Sequence, residues 1–304
     1  MKGATEKTEP DRPDADPGLP RVAQGKVRDL YRVDAERLLI VASDRISAFD
    51  VVFRELIPDK GRLLTALSGF WFARTEPLIR NHRLADDWSP LVRPEALPYL
   101  RGRSMLVRRL KPLPLEAVVR GYLAGSAWQA YRKGENPPGL QLPGGLREAD
   151  PLPELLYTPT SKSPMGEHDQ PISFDETVRR IGNGDLAARL REWALAIFRE
   201  ASRYAESRGL IIADAKFEFG VDSAGTPYLI DELLTPDSTR YWPRDQYRPG
   251  SSPPSFDKQF LRQWLEATGW NKQPPPPALP PDVLAATRQR YTEAYTRLTG
   301  EKSF

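Results

Sequence analysis

The residue types best suited to chemistry lie in GLIIADAKFEFG (209–220) and the following VDSAGTPYLIDELLTPDSTRYW (221–242). Side chains on a strand alternate faces, so Asp214, Lys216 and Glu218 share one face and Ala215, Phe217 and Phe219 the other. The apolar face belongs on a core, which leaves a row of carboxylate, ammonium and carboxylate. A turn at Ser223–Thr226 folds the chain back through YLIDE. A symmetric hairpin pairs 222 with 227, 220 with 229 and 218 with 231, and sets Glu218 opposite Asp231. Carboxylates about 5 Å apart across a sheet repel. Lys216 offsets part of that repulsion, and a divalent cation offsets all of it. Oxygen-only donors suit Mg²⁺, which takes one or two carboxylates plus substrate phosphates. The competing reading is a solvated hairpin face. The apolar flanks, with Asp237 and Arg240 just beyond, favour a site.

Four shorter constellations accompany it. In GKVRDLY, a turn at Gly25 precedes Lys26 and Arg28 at alternate positions, and backbone N–H groups at such a turn can cradle phosphate. It is not a P-loop, and a solvated strand face carries the same residues. In VVRGYLAGSAWQAY, Gly125 and Ser126 stand where a helix begins, with Arg120 at the end of the preceding strand. That is an anion site, or simply Ser126 capping the helix. SPMGEHDQPIS sets Glu167, His168 and Asp169 side by side, with no second histidine for a transition-metal pair. In ASDRISAFD, Asp44, Arg45, Ser47 and Asp50 follow an apolar strand directly.

These groups need elements to position them. VRDLYRV, RLLIVAS and AFDVVFREL read as short antiparallel strands. Residues 60–74 place Leu63, Leu67, Phe70 and Trp71 at helical spacing. Residues 103–109 and 115–120 return to strand, and LKPLPLE between them marks a hinge. Residues 133–171 are loop-rich. Ser173 and Glu176 form a capping box for a helix to about Ile181. Residues 185–208 form a helix with Leu190, Trp193, Ile197, Phe198, Ala201 and Tyr204 on one face, stopped by Gly209. A helix beginning at Ser255 turns Phe256, Phe260, Leu261 and Trp264 inward; residues 273–281 form a stiff polyproline spacer; a last helix spans 282–299.

Composition narrows the function classes. The 304 residues suit two domains or one two-lobed unit. With no cysteine, disulfides, thiolate catalysis and zinc–sulfur sites are excluded. With His82 and His168 the only histidines, so is a multi-histidine metal centre. Lys and Arg number 44 against 41 Asp and Glu, a net +3 that argues weakly for nucleic acid. Proline, 31 of 304, favours ordered loops over a helical bundle. No apolar run nears the roughly 18 residues that cross a bilayer. The first 20 residues lack a signal-peptide core and read as a disordered extension. The expectation is a cytoplasmic protein, a monomer or small homo-oligomer, with neither membrane nor nucleic-acid partner.

Taken in order, GKVRDLY, ASDRISAFD, IPDKGRLLTALS, VVRGYLAGSAW, the GEHD loop, IIADAKFEFG, DELLTPDSTRYWP and SFDKQFLRQWL resemble the SAICAR synthetase (phosphoribosylaminoimidazole-succinocarboxamide synthase) family of purine biosynthesis, in its longer, yeast-like form. The resemblance covers about residues 21–300. It implies an α+β fold of two lobes, a kinase-like antiparallel N-terminal lobe (21–112) and an ATP-grasp-like C-terminal lobe (113–304), with LKPLPLE beside the adenine. It implies a ligase joining L-aspartate to the carboxylate of carboxyaminoimidazole ribonucleotide (CAIR), with ATP as co-substrate and Mg²⁺ as cofactor. By the same resemblance, Gly25, Lys26 and Arg28 cover the ATP phosphates. Glu218 and Asp231 hold Mg²⁺, with Glu232 a weaker candidate. Lys216 contacts nucleotide phosphate or the reacting carboxylate. Arg120 and Ser126 take the ribonucleotide 5′-phosphate, and Asp214 and Arg240 contact CAIR. Lys162, His168 and Asp169 lie near the reacting groups, and Asp44 and Ser47 complete the CAIR or aspartate site. Gln170–Pro171 departs from the family's usual continuation of that loop. The alternatives are another ATP-grasp-like carboxylate–amine ligase, or a non-catalytic nucleotide- or RNA-binding protein suggested by the basic excess and seven tryptophans. The acids at 214–232 argue against the last, because without a metal they repel a phosphate backbone.

Overall fold

The computed structural model describes residues 16–162 and 169–302. The chain opens with β1 (Arg21–Gln24), β2 (Arg28–Arg32), β3 (Arg37–Ala42), β4 (Arg45–Ala48) and β5 (Val51–Leu56). Then come α1 (Lys60–Thr75), the short α2 (Leu97–Leu100), β6 (Ser104–Arg108), β7 (Lys111–Pro112) and β8 (Leu115–Tyr122). The second half holds α3 (Gly125–Tyr131), β9 (Pro151–Tyr157), β10 (Thr160–Ser161), α4 (Phe174–Ile181), α5 (Gly184–Ser207), β11 (Leu210–Val221), β12 (Pro227–Ile230), β13 (Thr239–Pro243), α6 (Gln259–Ala267) and α7 (Pro281–Thr299). The fold is α+β and two-lobed, with antiparallel sheets. An N-terminal sheet runs β1-β2-β3-β6, and β4 and β5 form a ribbon of their own.

The second sheet is organised around β11. Along one edge β11 pairs β8 over 214–217 and β7 over 220–221; along the other it pairs β13 over 210–215 and β12 over 218–221. Between β12 and β13 the chain leaves the sheet as the segment 231–238, tied back where Lys216 N–H donates to Ser238 O at 2.9 Å. That excursion carries Asp231, Glu232 and Asp237 over the exposed face of β11.

The opposite face builds the core. Ala215, Phe217 and Phe219 pack with Ala117 and Val119 of β8 and with Leu190, Ala194, Ile197, Phe198 and Ala201 of α5. The same cluster takes Leu63, Leu67 and Trp71 of α1, so one core spans both lobes. The leucine, isoleucine, valine and phenylalanine side chains among these each contribute about 1.5–3 kcal/mol by leaving water. The α1 helix approaches β3 so closely that a Cβ at Gly61 would lie 2.3 Å from Ala42 O. Ser173 caps α4 as the spacing predicts, its Oγ accepting from Glu176 N–H at 3.1 Å, while the Glu176 carboxylate turns to Arg179 and Arg180 instead of closing the box. Asn183 caps α5 in the same way, through Leu186 N–H at 3.0 Å.

Four expectations need correction. The loop-rich segment contains β9 and β10, both on the outer edge of β8. β9 carries Pro151 and Pro153, which an outer strand tolerates. Arg45–Ala48 is strand β4 rather than a strand's aftermath. Helix α6 begins at Gln259, not Ser255; Ser255 Oγ instead donates to Tyr241 O at 3.1 Å, and Asp257 Oδ1 accepts from Gln259 N–H at 2.7 Å. The β11–β12 register is also one residue off. Val221 pairs Pro227 and Glu218 pairs Ile230, because Asp222 leaves the strand to accept from the N–H groups of Ala224 (2.9 Å) and Thr226 (2.8 Å).

Candidate active site

A cavity of about 660 Å³ opens on the charged face of β11 and is bordered by both lobes. Its floor is a charge ladder across three strands. Asp214 pairs in register with Arg120 of β8 on one side and Arg240 of β13 on the other. Its Oδ2 accepts from Arg120 Nη1 at 3.4 Å and Arg240 Nη1 at 3.0 Å. Arg120 also donates to Thr158 Oγ1 (2.9 Å) and Ser126 Oγ (3.4 Å). Two residues along β11, Lys216 Nζ donates to Glu116 Oε1 at 2.5 Å and lies 3.6 Å from Glu218 Oε1. Lys162 Nζ donates to the other oxygen of Glu218.

Asp231 reaches this cavity by an unexpected route. Strand alternation would turn the residue after Ile230 towards the core. Asp231 instead adopts a left-handed backbone, φ 68°, and its carboxylate lines the cavity with Glu218 and Glu232. Arg28 of β2 crosses from the N-terminal lobe to meet it, with Nη2 2.6 Å from Asp231 Oδ2 and Nη1 3.1 Å from Glu232 Oε2.

The electrostatics are uneven. Burial opposes ionisation of Glu218, but Lys216 and Lys162 outweigh it and hold the carboxyl below its usual range. Burial also pushes Asp231 up, and although Arg28 pulls the other way, the like charges of Glu218 and Glu232 leave it at about 6. Among the described residues, no group of three His, Asp or Glu side chains is placed to hold a metal unaided. Asp231, whose charge Arg28 does not fully offset, and Glu218 beside it are hard-oxygen donors that fit a cation completing its shell with phosphate oxygens and water.

A second charge cluster backs the wall. Asp237 Oδ2 lies 2.7 Å from Lys60 Nζ and 3.1 Å from Lys258 Nζ, and its Oδ1 accepts from Tyr291 Oη at 2.7 Å. Burial opposes the Asp237 charge, yet Lys258 and Lys60 outweigh it and hold the carboxyl well below the ordinary carboxylate range.

The SAICAR synthetase family model matches residues 21–277. The chain belongs to the SAICAR synthetase family. Its relatives include a phosphoribosylaminoimidazole-succinocarboxamide synthase of Halorhodospira halophila, 56% identical over 281 residues and spanning 92% of this chain and 95% of that one. SAICAR synthase from Saccharomyces cerevisiae, solved with SAICAR, is 42% identical, covers 99% of both chains and superposes with a TM-score of 0.85. A SAICAR synthetase solved with ADP is 26% identical, covers 93% of this chain and 99% of that one, and gives a TM-score of 0.68.

For this SAICAR synthetase family member, the cavity gathers Gly25, Lys26, Arg28, Ser47, Lys162, Asp169, Asp214, Lys216, Glu218, Asp231, Glu232 and Arg240. Arg120 and Ser126 are not among the residues lining it; Arg120 is tied to the cavity through Asp214 and donates to Ser126. Ser126 is not the helix cap: α3 starts after Ala124 without a side-chain cap bond. Gly125 has φ 58°, and a Cβ there would lie 2.6 Å from Arg240 Nη2, so glycine seats that guanidinium. Lys26 pairs with Asp50 across the cavity mouth. Asp44 does not join them. It accepts from Gly61 N–H (2.9 Å) and Arg103 Nη1 (2.9 Å), which makes it a tie between β3, α1 and the loop before β6. His168 lies outside the described residues.

Several residues escaped the sequence reading. Glu116 shares the alternation of Val118 and Arg120 and was findable by the rule that found Arg120. Lys258 and Arg262 line the cavity, but they sit in a segment read only for its apolar face. Lys60 is fully buried at the start of α1, where a lysine ordinarily reads as solvated.

Proposed function

We infer that this chain is an ATP-dependent ligase that joins L-aspartate to the carboxylate of CAIR, giving SAICAR, ADP and phosphate in purine biosynthesis. The observation that carries the reading is the Asp214–Lys216–Glu218 row on the floor of a cavity shared by two lobes, in a chain that matches the family over residues 21–277.

A carboxylate is a poor electrophile for an amine. In the proposed sequence, a carboxylate oxygen of CAIR attacks the γ-phosphorus of ATP; the bond to the β-γ bridging oxygen breaks, and ADP leaves. The aspartate ammonium gives up a proton to solvent, its amine attacks the acyl carbon, the C–O bond to phosphate breaks, and the nitrogen releases a second proton to the departing phosphate or solvent. The carboxylate oxygen therefore departs in the phosphate. The protein's part is alignment and charge stabilisation.

Lys216 stands where a cation can meet the transferring group, and Lys162 beside Glu218 can do the same from the loop. Gly25 and Lys26 cover the phosphates, with Arg28 anchoring that strand to Asp231 and Glu232. Arg120, Ser126 and Arg240 take the 5′-phosphate and the CAIR ring side, with Asp214 holding both guanidiniums in place. Asp169 and Ser47, which line the cavity, would border the reacting groups. Glu218 and Asp231 would hold Mg²⁺, which when bound neutralises triphosphate charge. The proposed lobes, 21–112 and 113–304, meet at LKPLPLE, where Lys111–Pro112 is already tied to β11 as β7. Among the described residues, no helix is long and apolar enough to cross a membrane.

The test is ADP release with CAIR, L-aspartate and ATP, omitting each in turn. Turnover that requires all three supports the reading. Faster turnover with another acid or amine assigns the chain to a different carboxylate–amine reaction.

A further inference from the structure

Asp237 holds a buried charge cluster to which the reaction above gives no task. It bridges Lys60 of α1, Lys258 just before α6 and Tyr291 of α7. The side chains of Lys60 and Asp237 are 0% and 2% exposed. Lys60 and Asp237 alone would be a neutral pair, and fastening α1 to the second lobe needs no more. Lys258 makes the cluster one positive charge in excess. An uncompensated ammonium away from water is strongly disfavoured, so the excess calls for an anion from the side where solvent or ligand enters. Lys258 lines the cavity and Lys60 does not. Among the described residues, Asp237 is the one carboxylate within ion-pair distance of Lys258, and an ammonium carries three donors. Burial, with repulsion from Lys60, already lowers the proton affinity of Lys258 despite Asp237.

We propose that Asp237 is a positioning residue: it fixes the Lys258 ammonium at the cavity wall so that Lys258 takes a carboxylate or phosphate oxygen of one anionic substrate, L-aspartate or the ribonucleotide. Tyr291, bound to the other oxygen, keeps the Asp237 carboxylate from turning. Lys60 already neutralises Asp237, so the charge of Lys258 is left for an anion. The proposal rests on the ligase reading.

The test uses the full chain, varying CAIR, L-aspartate and ATP in turn with the other two saturating. Lys258→Met is expected to raise one KM, for L-aspartate or for CAIR, by about tenfold or more, with kcat within about threefold and the KM for ATP nearly unchanged. Lys258→Arg recovers most of the loss. Asp237→Asn raises the same KM, and the double variant is no worse than Lys258→Met, because Asp237 acts through Lys258. Whichever KM moves identifies the anion. Equal rises in all three KM values, a rise confined to ATP, or additive effects in the double variant would overturn the proposal. If Asp237→Asn does not fold, Tyr291→Phe is expected to give a smaller rise in the same KM, and no rise overturns the proposal. Wild-type protein without CAIR-dependent ADP release would remove the ligase reading itself, a separately recognisable result.

Discussion

Replacing Asp231 with asparagine separates what that carboxylate does for the fold from what it does for the reaction. Burial, with Glu218 and Glu232 nearby, raises its carboxyl from 3.8 to about 6 against the pull of Arg28. That displacement corresponds to about 3 kcal/mol by which the folded state disfavours the charge. With 23% of the side chain exposed, solvent relieves part of it, so about 1–3 kcal/mol remains. The sign follows from linkage. The folded value lies above the unfolded one, so stability falls as pH rises from about 4 to about 6, and the deficit is complete at pH 7. Asp231→Asn removes the charge while Glu232 still meets Arg28 at 3.1 Å. The variant should therefore melt at the wild-type temperature or up to about 6 °C above it at pH 7, and show no advantage at pH 4. Turnover should nevertheless be lost, and Mg²⁺ with ATP should shift the melting of wild type but not of the variant. Thermal melts at the two pH values, paired with ADP release, give both readouts. A variant clearly less stable at pH 7, or near-normal turnover at saturating Mg²⁺, would refute the reasoning.

Three further outcomes follow from the geometry. Ser126→Ala should raise the KM for the ribonucleotide about tenfold and leave that for ATP nearly unchanged; equal rises in steady-state kinetics would remove the phosphate role. Gly125→Ala meets both a φ of 58° and the Arg240 guanidinium at 2.6 Å, so it should cost about 1–2 kcal/mol in urea unfolding and weaken the same substrate. Phe198→Ala, emptying a site 1% exposed between α5 and the core face of β11, should cost about 3–5 kcal/mol, read as a lower urea midpoint, with KM values unchanged in the folded fraction.

Much of the site was legible because strand alternation is a strict rule. Asp214, Lys216 and Glu218 fall on one face whatever the neighbouring strands do, and the cross-strand arginines follow once Arg120 and Arg240 are noticed. The helix cap at Ser173 was legible for a similar reason, since its geometry is entirely local. What failed depended on single-residue choices. Asp222 could continue the strand or turn back on two N–H groups, and choosing the turn moved Glu218 from Asp231 to Ile230. Asp231 then regained the cavity through a backbone conformation that no composition pattern signals. Lys60 and Lys258 were hidden because a lysine's burial is decided by the carboxylate that meets it, here one 177 residues away from Lys60 in sequence.

The central claim is that ATP activates an acid within this cavity so that an amine can take it. It is tested most directly with CAIR labelled with ¹⁸O in both carboxylate oxygens, incubated with ATP, L-aspartate and Mg²⁺, and with the released phosphate analysed by mass spectrometry. The account predicts one labelled oxygen in each phosphate, formed only when L-aspartate turns over. Unlabelled phosphate released in step with product would contradict it.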